Sequence, residues 1–438
     1  MNYRFLCSSH RTYLLQNPSR AVAFWQTGFD TAQVFCDDGQ WSEALPHIGC
    51  AYETAEIILT TKLIVTAGTF ELMRLLFLVM AAFLGSCGGG GSSLNSTEIP
   101  SNTAPDTTDS GDCAQAGWNS GTMSMDFNGI ERLFRVYLPE NYSSANPSSL
   151  VLGFHGWGGN ENAFLSSQTV RNELDQHNVV MIAPLGLGAD ESGATFSSWS
   201  FSGSTTGLDG DGFNSLVPGD SEKICDTNTT PNYTYPSCQG IAENNCSWTH
   251  CLDDDIGFVA SLVLEAEQNL CVDSDRIFAV GGSNGGMFVW DLGRDERTAE
   301  TFKAIAPIIG LPHRGYLAEP IKANGLAVIS ITGMEDSTVP PGEWNGKSFT
   351  TTSNGEAFFY TGASGIAESW GNALGCDTSS PAELVEQAIA PELECRSWSF
   401  CSGGNAFPPI LDCRGDDMGH VYNLDQSWPL IMAFFDDQ

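Results

Sequence analysis

Basic residues are scarce in this chain of 438 residues: 18 Lys and Arg stand against 53 Asp and Glu, a formal net charge of -35. That imbalance argues against nucleic acid and anionic membrane surfaces as partners, since both would repel it. No glycine-rich fingerprint for a dinucleotide and no P-loop is present, so nothing in the sequence asks for an organic cofactor. The 14 cysteines contain no C-x-x-C pair, which removes the usual zinc spacing and leaves no metal site to propose from them. So many cysteines without a metal pattern fit an oxidising compartment better than a reduced cytosol. The apolar run Leu75 to Phe83 is too short to cross a bilayer as a helix.

That short run has another reading. Met73 and Arg74 precede it, and Leu84, Gly85, Ser86 and Cys87 follow, an order that resembles a bacterial lipoprotein signal. The resemblance implies a signal peptide over residues 73–86 and lipidation of Cys87, giving an exported protein, extracellular or anchored at the outer membrane. Residues 1–72 would then be an upstream extension outside the mature protein. Setting aside Cys7, Cys36, Cys50 and the lipid site leaves ten cysteines, an even number free to pair. Residues 87–117 are poor in apolar side chains and rich in Gly, Ser and Thr, as a flexible tether would be. N-x-S/T triplets at Asn95, Asn141, Asn228, Asn232 and Asn245 read as polar loops in a bacterial setting.

From about Trp118 apolar strand-like runs alternate with helical patterns, the signature of a mainly parallel sheet with helices on both faces. Met123 to Phe127 and Arg132 to Leu138 read as a hairpin turning at Asn128 and Gly129. Leu150 to Phe154 and Val179 to Pro184 are buried strands, with helical character over Glu161 to His177 between them. Asp253 to Leu270 is an amphipathic helix whose aspartates suit the positive end of the helix dipole.

The stretch that organises the rest is Arg276 to Trp290, where the apolar run Ile277 to Val280 passes through Gly281, Gly282, Ser283, Asn284 and Gly285 into the helical Met287 to Leu292. Strand, G-x-S-x-G and helix in that order make a nucleophile elbow, the sharp turn that exposes a serine hydroxyl in an α/β-hydrolase fold. Ser283 is therefore the candidate nucleophile. A chance Gly-rich turn is the alternative, and the strand–turn–helix context weighs against it.

Directly after Leu150 to Phe154 come His155, Gly156, Trp157, Gly158 and Gly159. In this fold such a loop gives one backbone N–H to an oxyanion hole and the residue after the nucleophile gives the other, so Trp157 and Asn284 are the expected donors. His155 reads as a loop brace. Residues 185–252, rich in Ser, Gly, Asp and Asn, form an insertion near the site that carries Cys225, Cys238, Cys246 and Cys251, and disulfides would hold it. Asp209, Asp211 and Asp220 could offer oxygens to calcium, but their spacing is not that of an EF-hand, and a solvated acidic loop is the simpler reading.

Phe302 to Ile309 is a further strand, and Leu326 to Thr332 is another that ends at Glu335 and Asp336. A carboxylate at that tip orients the histidine of a triad, and Asp336 fits, with Glu335 as a rival facing the opposite way. The histidine follows the last strand, Pro409 to Cys413, and only His420 qualifies: His155, His177, His250 and His313 all precede Asp336. Trp428 to Phe435 closes the chain as a helix.

HGWGGNENAF, CVDSDRIFAVGGSNGGMF, TGMEDSTVP and DMGHVYN together resemble the polyhydroxybutyrate depolymerase and feruloyl esterase family, the LpqC-like esterases, over residues 118–438. The resemblance implies a secreted serine esterase that releases hydroxycinnamic acids from plant polysaccharide or cleaves short polyesters. It implies no cofactor and a monomer acting on a small ester, a feruloylated polysaccharide or a polyester. After the histidine the sequence departs from the commoner aromatic–proline pattern, with Val421, Tyr422 and Asn423 instead. Trp157, Trp199, Trp248 and Tyr422 lie in segments expected near the site, where aromatic rings would favour a planar acyl group. An idle serine in a lipoprotein binding module is the reading from another class.

Overall fold

The computed structural model describes residues 2–7, 22–26, 33–36, 41–43, 117–188, 196–205, 224–226, 229–230, 235–239, 247–318, 321, 325–346, 349–399, 401 and 406–438. Cys87, Asp209, Asp211 and Asp220 lie outside them. The chain divides into two compact units, Met1–Ala104 and Pro105–Gln438. In the first, β1 (Asn2–Cys7), β2 (Val22–Gln26), β3 (Gln33–Cys36) and β4 (Trp41–Glu43) form a sheet in the order β2-β1-β3-β4. Only β1 and β3 run parallel in it.

The second unit is built on a ten-stranded sheet. Its strands are β5 (Gly121–Phe127), β6 (Ile130–Tyr137), β7 (Ser148–Phe154), β8 (Val179–Pro184), β9 (Val272–Gly282), β10 (Ala304–Ile308), β11 (Ala327–Gly333), β14 (Glu383–Leu384), β15 (Leu393–Ser397) and β16 (Ile410–Gly415). The hairpin β12 (Phe349–Thr351) and β13 (Phe359–Thr361) stands apart. The sheet order is β14-β15-β16-β11-β10-β9-β7-β8-β6-β5. The six strands from β16 to β8 are mutually parallel, and the two at each edge pair antiparallel. The crossover β6-β8-β7-β9 and the parallel run beyond it are the strand order of an α/β-hydrolase sheet.

Side-chain alternation puts a separate core on each face, because successive strand residues point to opposite sides. Leu150, Leu152, Val180, Ile182, Ile277 and Ala279 face one way, against α2 (Asp255–Asn269), α3 (Asn284–Leu292) and α4 (Ala363–Ala373). Val151, Val179, Met181, Phe278 and Val280 face the other, against α1 (Gln168–Gln176) and α5 (Leu424–Asp437). Every residue of β7, β8, β10 and β11 is buried, as strands covered on both faces must be. At the β5–β6 turn Asn128 and Gly129 both adopt positive φ, 56° and 84°, which is what an Asn-Gly hairpin turn requires.

Some expected boundaries shift. β9 begins at Val272, upstream of the apolar run that starts at Ile277, and its first residues reach into solvent, with Ser274 and Asp275 exposed. β14, β15 and α4 had no strong apolar period to announce them. Every described cysteine of the second unit is disulfide-bonded: Cys238 to Cys251, Cys376 to Cys401 and Cys395 to Cys413, with Cys225 and Cys271 also in bridges.

Candidate active site

The turn from β9 into α3 is set by backbone proximity. A Cβ on Gly281 would stand 2.2 Å from the Gly285 carbonyl oxygen, and one on Gly285 would stand 2.1 Å from that of Phe154, so only glycine fits either place. Ser283 between them is held at φ 53° and ψ -119°, a strained conformation of the kind that costs about 1–3 kcal/mol. Its N–H donates to Ile308 O (2.8 Å), and its carbonyl accepts from Met287 N–H (2.9 Å). The sheet on one side and the helix on the other thus fix the hydroxyl in the open.

Two other strand ends bring partners to it. Beyond β11, Asp336 is buried, and its Oδ1 accepts from the N–H groups of Thr338 and Val339, both at 2.8 Å. Its Oδ2 lies 2.7 Å from His420 Nδ1, on the loop after β16. His420 Nε2 lies 2.9 Å from Ser283 Oγ. An ionised carboxylate only accepts, so Nδ1 carries the ring hydrogen and Nε2 is left to accept from the serine. Glu335, the rival acid, is exposed, whereas Asp336 is buried.

The loop after β7 lies against the serine: a Cβ at Gly156 would stand 3.2 Å from Ser283 Cβ. His155 Nδ1–H donates to Gly156 O (2.7 Å), and its Nε2 accepts from Gly186 N–H (2.9 Å). Burial pushes this imidazole down to about 4, so it stays neutral in the bracing role read from its neighbours. Gly158 N–H donates to Ser197 O and Gly159 N–H to Gly156 O. Gly156 N–H donates to the Tyr422 hydroxyl (2.8 Å), which leaves Trp157 as the next amide along the loop. Across the site Asn284 opens α3, where a backbone N–H has no intrahelical acceptor.

Of the rings expected near substrate, Trp199 is sealed in the core, whereas Trp248 and Tyr422 are half-buried. Trp199 is fully buried between Phe154 and Phe288, with centroids 5.2 and 5.4 Å away, and its indole N–H donates to His155 O. The Asn284 side chain accepts from Trp199 N–H and donates to Trp199 O, locking this segment under the elbow. Trp248 gives its indole N–H to His313 Nε2 (2.8 Å) and packs edge-on to Phe201. Tyr422 stacks on Phe164 at 5.4 Å, and a Cβ on Gly282 would run into its ring. Burial raises its hydroxyl to about 12. These residues brace the loops around the serine, because a ring with a polar tip can fill a gap and still satisfy a backbone group.

Sequence reasoning assigned Asp255 only to a helix start, but it is the hub of a sealed cluster. Its Oδ1 accepts from Arg132 (2.7 Å), and its Oδ2 accepts from Ser200 N–H (2.7 Å) and faces His250 Nε2 (2.8 Å). Burial alone would raise this carboxyl, but His250, Arg132 and the two hydrogen bonds overcome it and hold the group at about 2. The cluster ties β6, α2 and the start and end of the 185–252 segment together. No sequence signal pointed to it. Among the described residues no group of three or more His, Cys, Asp or Glu side chains is placed to hold a metal.

No family model matches the chain. A probable feruloyl esterase C of Aspergillus niger is 21% identical over 223 residues, which cover 49% of this chain and 59% of that protein, so the match spans well under two thirds of the relative. Among solved structures, an acetyl xylan esterase from Aspergillus awamori overlays with a TM-score of 0.43 at 15% identity, covering 73% of this chain and all of that one. A thermostable esterase overlays with a TM-score of 0.32 at 14% identity, covering 50% and 48%. In sequence, then, this chain is similar to a probable esterase.

Proposed function

We propose that this chain is a serine carboxylic-ester hydrolase with a feruloyl-esterase-like preference, working through an acyl-enzyme on Ser283. The observation that carries the reading is the hydrogen-bonded chain Ser283–His420–Asp336 with its serine on a strained, glycine-bounded turn. His420 Nε2 takes the serine proton as Oγ attacks the ester carbonyl, and the Asp336 carboxylate stabilises the imidazolium and fixes its tautomer. The Trp157 and Asn284 amides receive the oxyanion. His420 then returns the proton to the departing alcohol oxygen. A water molecule, deprotonated by the same imidazole, attacks the acyl carbon and frees the acid and the serine.

The feruloyl preference draws on the similarity to the feruloyl esterase and on the family motifs. The purified chain should hydrolyse methyl ferulate or a feruloylated oligosaccharide faster than polyhydroxybutyrate granules. Release of hydroxybutyrate oligomers with no action on ferulate esters reverses that order and makes it a depolymerase. A fluorophosphonate that fails to label Ser283 removes the enzyme reading altogether and leaves the binding module.

We also propose export and a lipid anchor at Cys87, supported by the lipobox and by a catalytic unit whose described cysteines are all bridged. Intact mass of the protein from its host tests this, and a mature chain that keeps residues 1–72 rejects it.

A further inference from the structure

We infer that Trp157 and Phe196 form a stacking platform for a planar, conjugated ring of the ester, a subsite built beside the nucleophile and propped by the disulfide-bridged segment. The inference rests on the esterase reading and names the substrate feature that the site selects.

Large apolar side chains are exposed at seven places among the described residues, and three of them lie in segments that frame the serine: Trp157 at 36%, Phe196 at 54% and Val421 at 55%. Val421 adjoins His420, and Trp157 follows Gly156, whose Cβ position is 3.2 Å from Ser283 Cβ. The Trp157 and Phe196 rings stack at 4.9 Å with planes 15° apart, so they are layered, and the exposed Phe196 ring is where a third ring can extend the stack. Phe196 combines two unfavourable choices. It keeps a large ring in water, and it holds φ at 52°, a region where glycine and asparagine sit far more easily. Packing within the fold gains little from such a residue. A ligand ring laid on it does.

The pair is also rigidly mounted. The Trp157 indole N–H donates to Tyr235 OH (2.5 Å), and that hydroxyl donates to Phe196 O (2.8 Å), closing a bridge between the two ring-bearing residues. Ser197 Oγ donates to Gly159 O, and Gly158 N–H donates to Ser197 O, lacing the two segments a second time. Tyr235 leads into the short 3-10 turn Pro236–Cys238, where Cys238 is bridged to Cys251. The insertion therefore acts as a bracket: its disulfide holds Tyr235, and Tyr235 holds the platform at the site. Rings fixed before binding lose little freedom on contact, which is how a preorganised subsite gains selectivity.

The experiment compares wild type, Phe196→Ala and Phe196→Gly on four esters: methyl ferulate against methyl propionate, where the acyl group differs, and phenyl acetate against methyl acetate, where the alcohol differs. The kcat/KM ratio of the aromatic to the aliphatic ester should fall about tenfold in both variants for at least one pair, and that pair identifies the side of the ester that stacks. Phe196→Gly should at the same time raise Tm by about 2–4 °C, because it releases the positive-φ strain. Both ratios staying within twofold of wild type overturns the platform. So does a lower Tm with ratios kept, which makes Phe196 a packing residue. A wild type inactive on all four esters refutes the esterase reading itself, and the two failures are thereby distinguished.

Discussion

Among the imidazole–carboxylate pairs of the second unit, two of nearly equal length differ most in their surroundings, His420–Asp336 at 2.7 Å and His250–Asp255 at 2.8 Å. The first leaves His420 partly open, with 27% of its side chain exposed, and its second nitrogen meets a serine hydroxyl. The second is wholly sealed: both side chains are at 0%, and the other His250 nitrogen accepts the Leu252 N–H. On the proposed function, the same bond serves chemistry in one place and cohesion in the other. What separates them is what the second nitrogen faces and whether a substrate can reach it.

Mutations sharpen the contrast, and the largest effect belongs to the open pair. Ser283→Ala or His420→Ala should lower kcat by about 10⁴-fold or more with the fold kept, and the double variant should be scarcely worse than either single one. Asp336→Asn should cost about 10²–10⁴-fold by favouring the wrong tautomer. Ester kinetics beside circular dichroism check this, and a near-normal Asp336→Asn alongside an inactive Glu335→Gln would mean that the acid has been misassigned.

For the sealed pair the loss should appear in stability. Asp255→Ala leaves Arg132 and His250 buried without their carboxylate, a change of about 3–5 kcal/mol in unfolding free energy. The fraction that folds should retain the wild-type kcat. A variant of normal stability but low kcat would erase the distinction between the pairs.

Acid should expose the buried imidazoles next. Burial holds His155 and His313 at about 4, while an unfolded chain binds a proton near 6.5. Between those values the unfolded state holds more protons, so stability falls as pH drops from about 6.5 to 4, by up to about 3 kcal/mol for each ring. Asp255, lowered to about 2, works in another window: its contribution is full above its usual 3.8 and is lost as pH falls towards 2. Urea midpoints measured from pH 7 to 4 test the histidine window, and a flat profile contradicts it.

The smallest effect concerns the link between the histidine loop and the oxyanion loop. Tyr422→Phe keeps the stack on Phe164 but leaves the Gly156 N–H without its acceptor. We expect kcat to fall about tenfold with KM within twofold, since the loop proposed to receive the oxyanion loses its tether. Equal changes in kcat/KM through KM alone would assign Tyr422 to substrate binding instead.

The parts legible in the sequence were those set by local rules. Gly281 and Gly285 declare a steric demand that only the backbone of a close turn creates, and Asn128–Gly129 declares a hairpin. His420 could be reached because chain order left no competitor. Asp255, Tyr422 and Trp199 were not legible in their roles, because each is defined by a partner far along the chain: Arg132, Gly156 and Asn284. An aspartate at a helix start and a tryptophan in a polar segment look the same whether they face solvent, substrate or the core. Phe196 escaped notice for a related reason, since a backbone angle leaves no mark on composition.

The spacing along the chain carries a kinetic consequence. Ser283 and His420 are 137 residues apart, and His420 and Asp336 are 84 apart. The histidine hangs from β16, whose place is fixed by pairing with β11 on one side and by β15 and the Cys395–Cys413 bridge on the other. Contacts closed over such loops come late in folding, after the local turns and helices. A chain still being synthesised can thus have its elbow formed and its serine exposed while His420 is elsewhere. On the proposed function, turnover begins only when the last parallel strand has docked, and the first appearance of hydrolysis would mark the completed sheet.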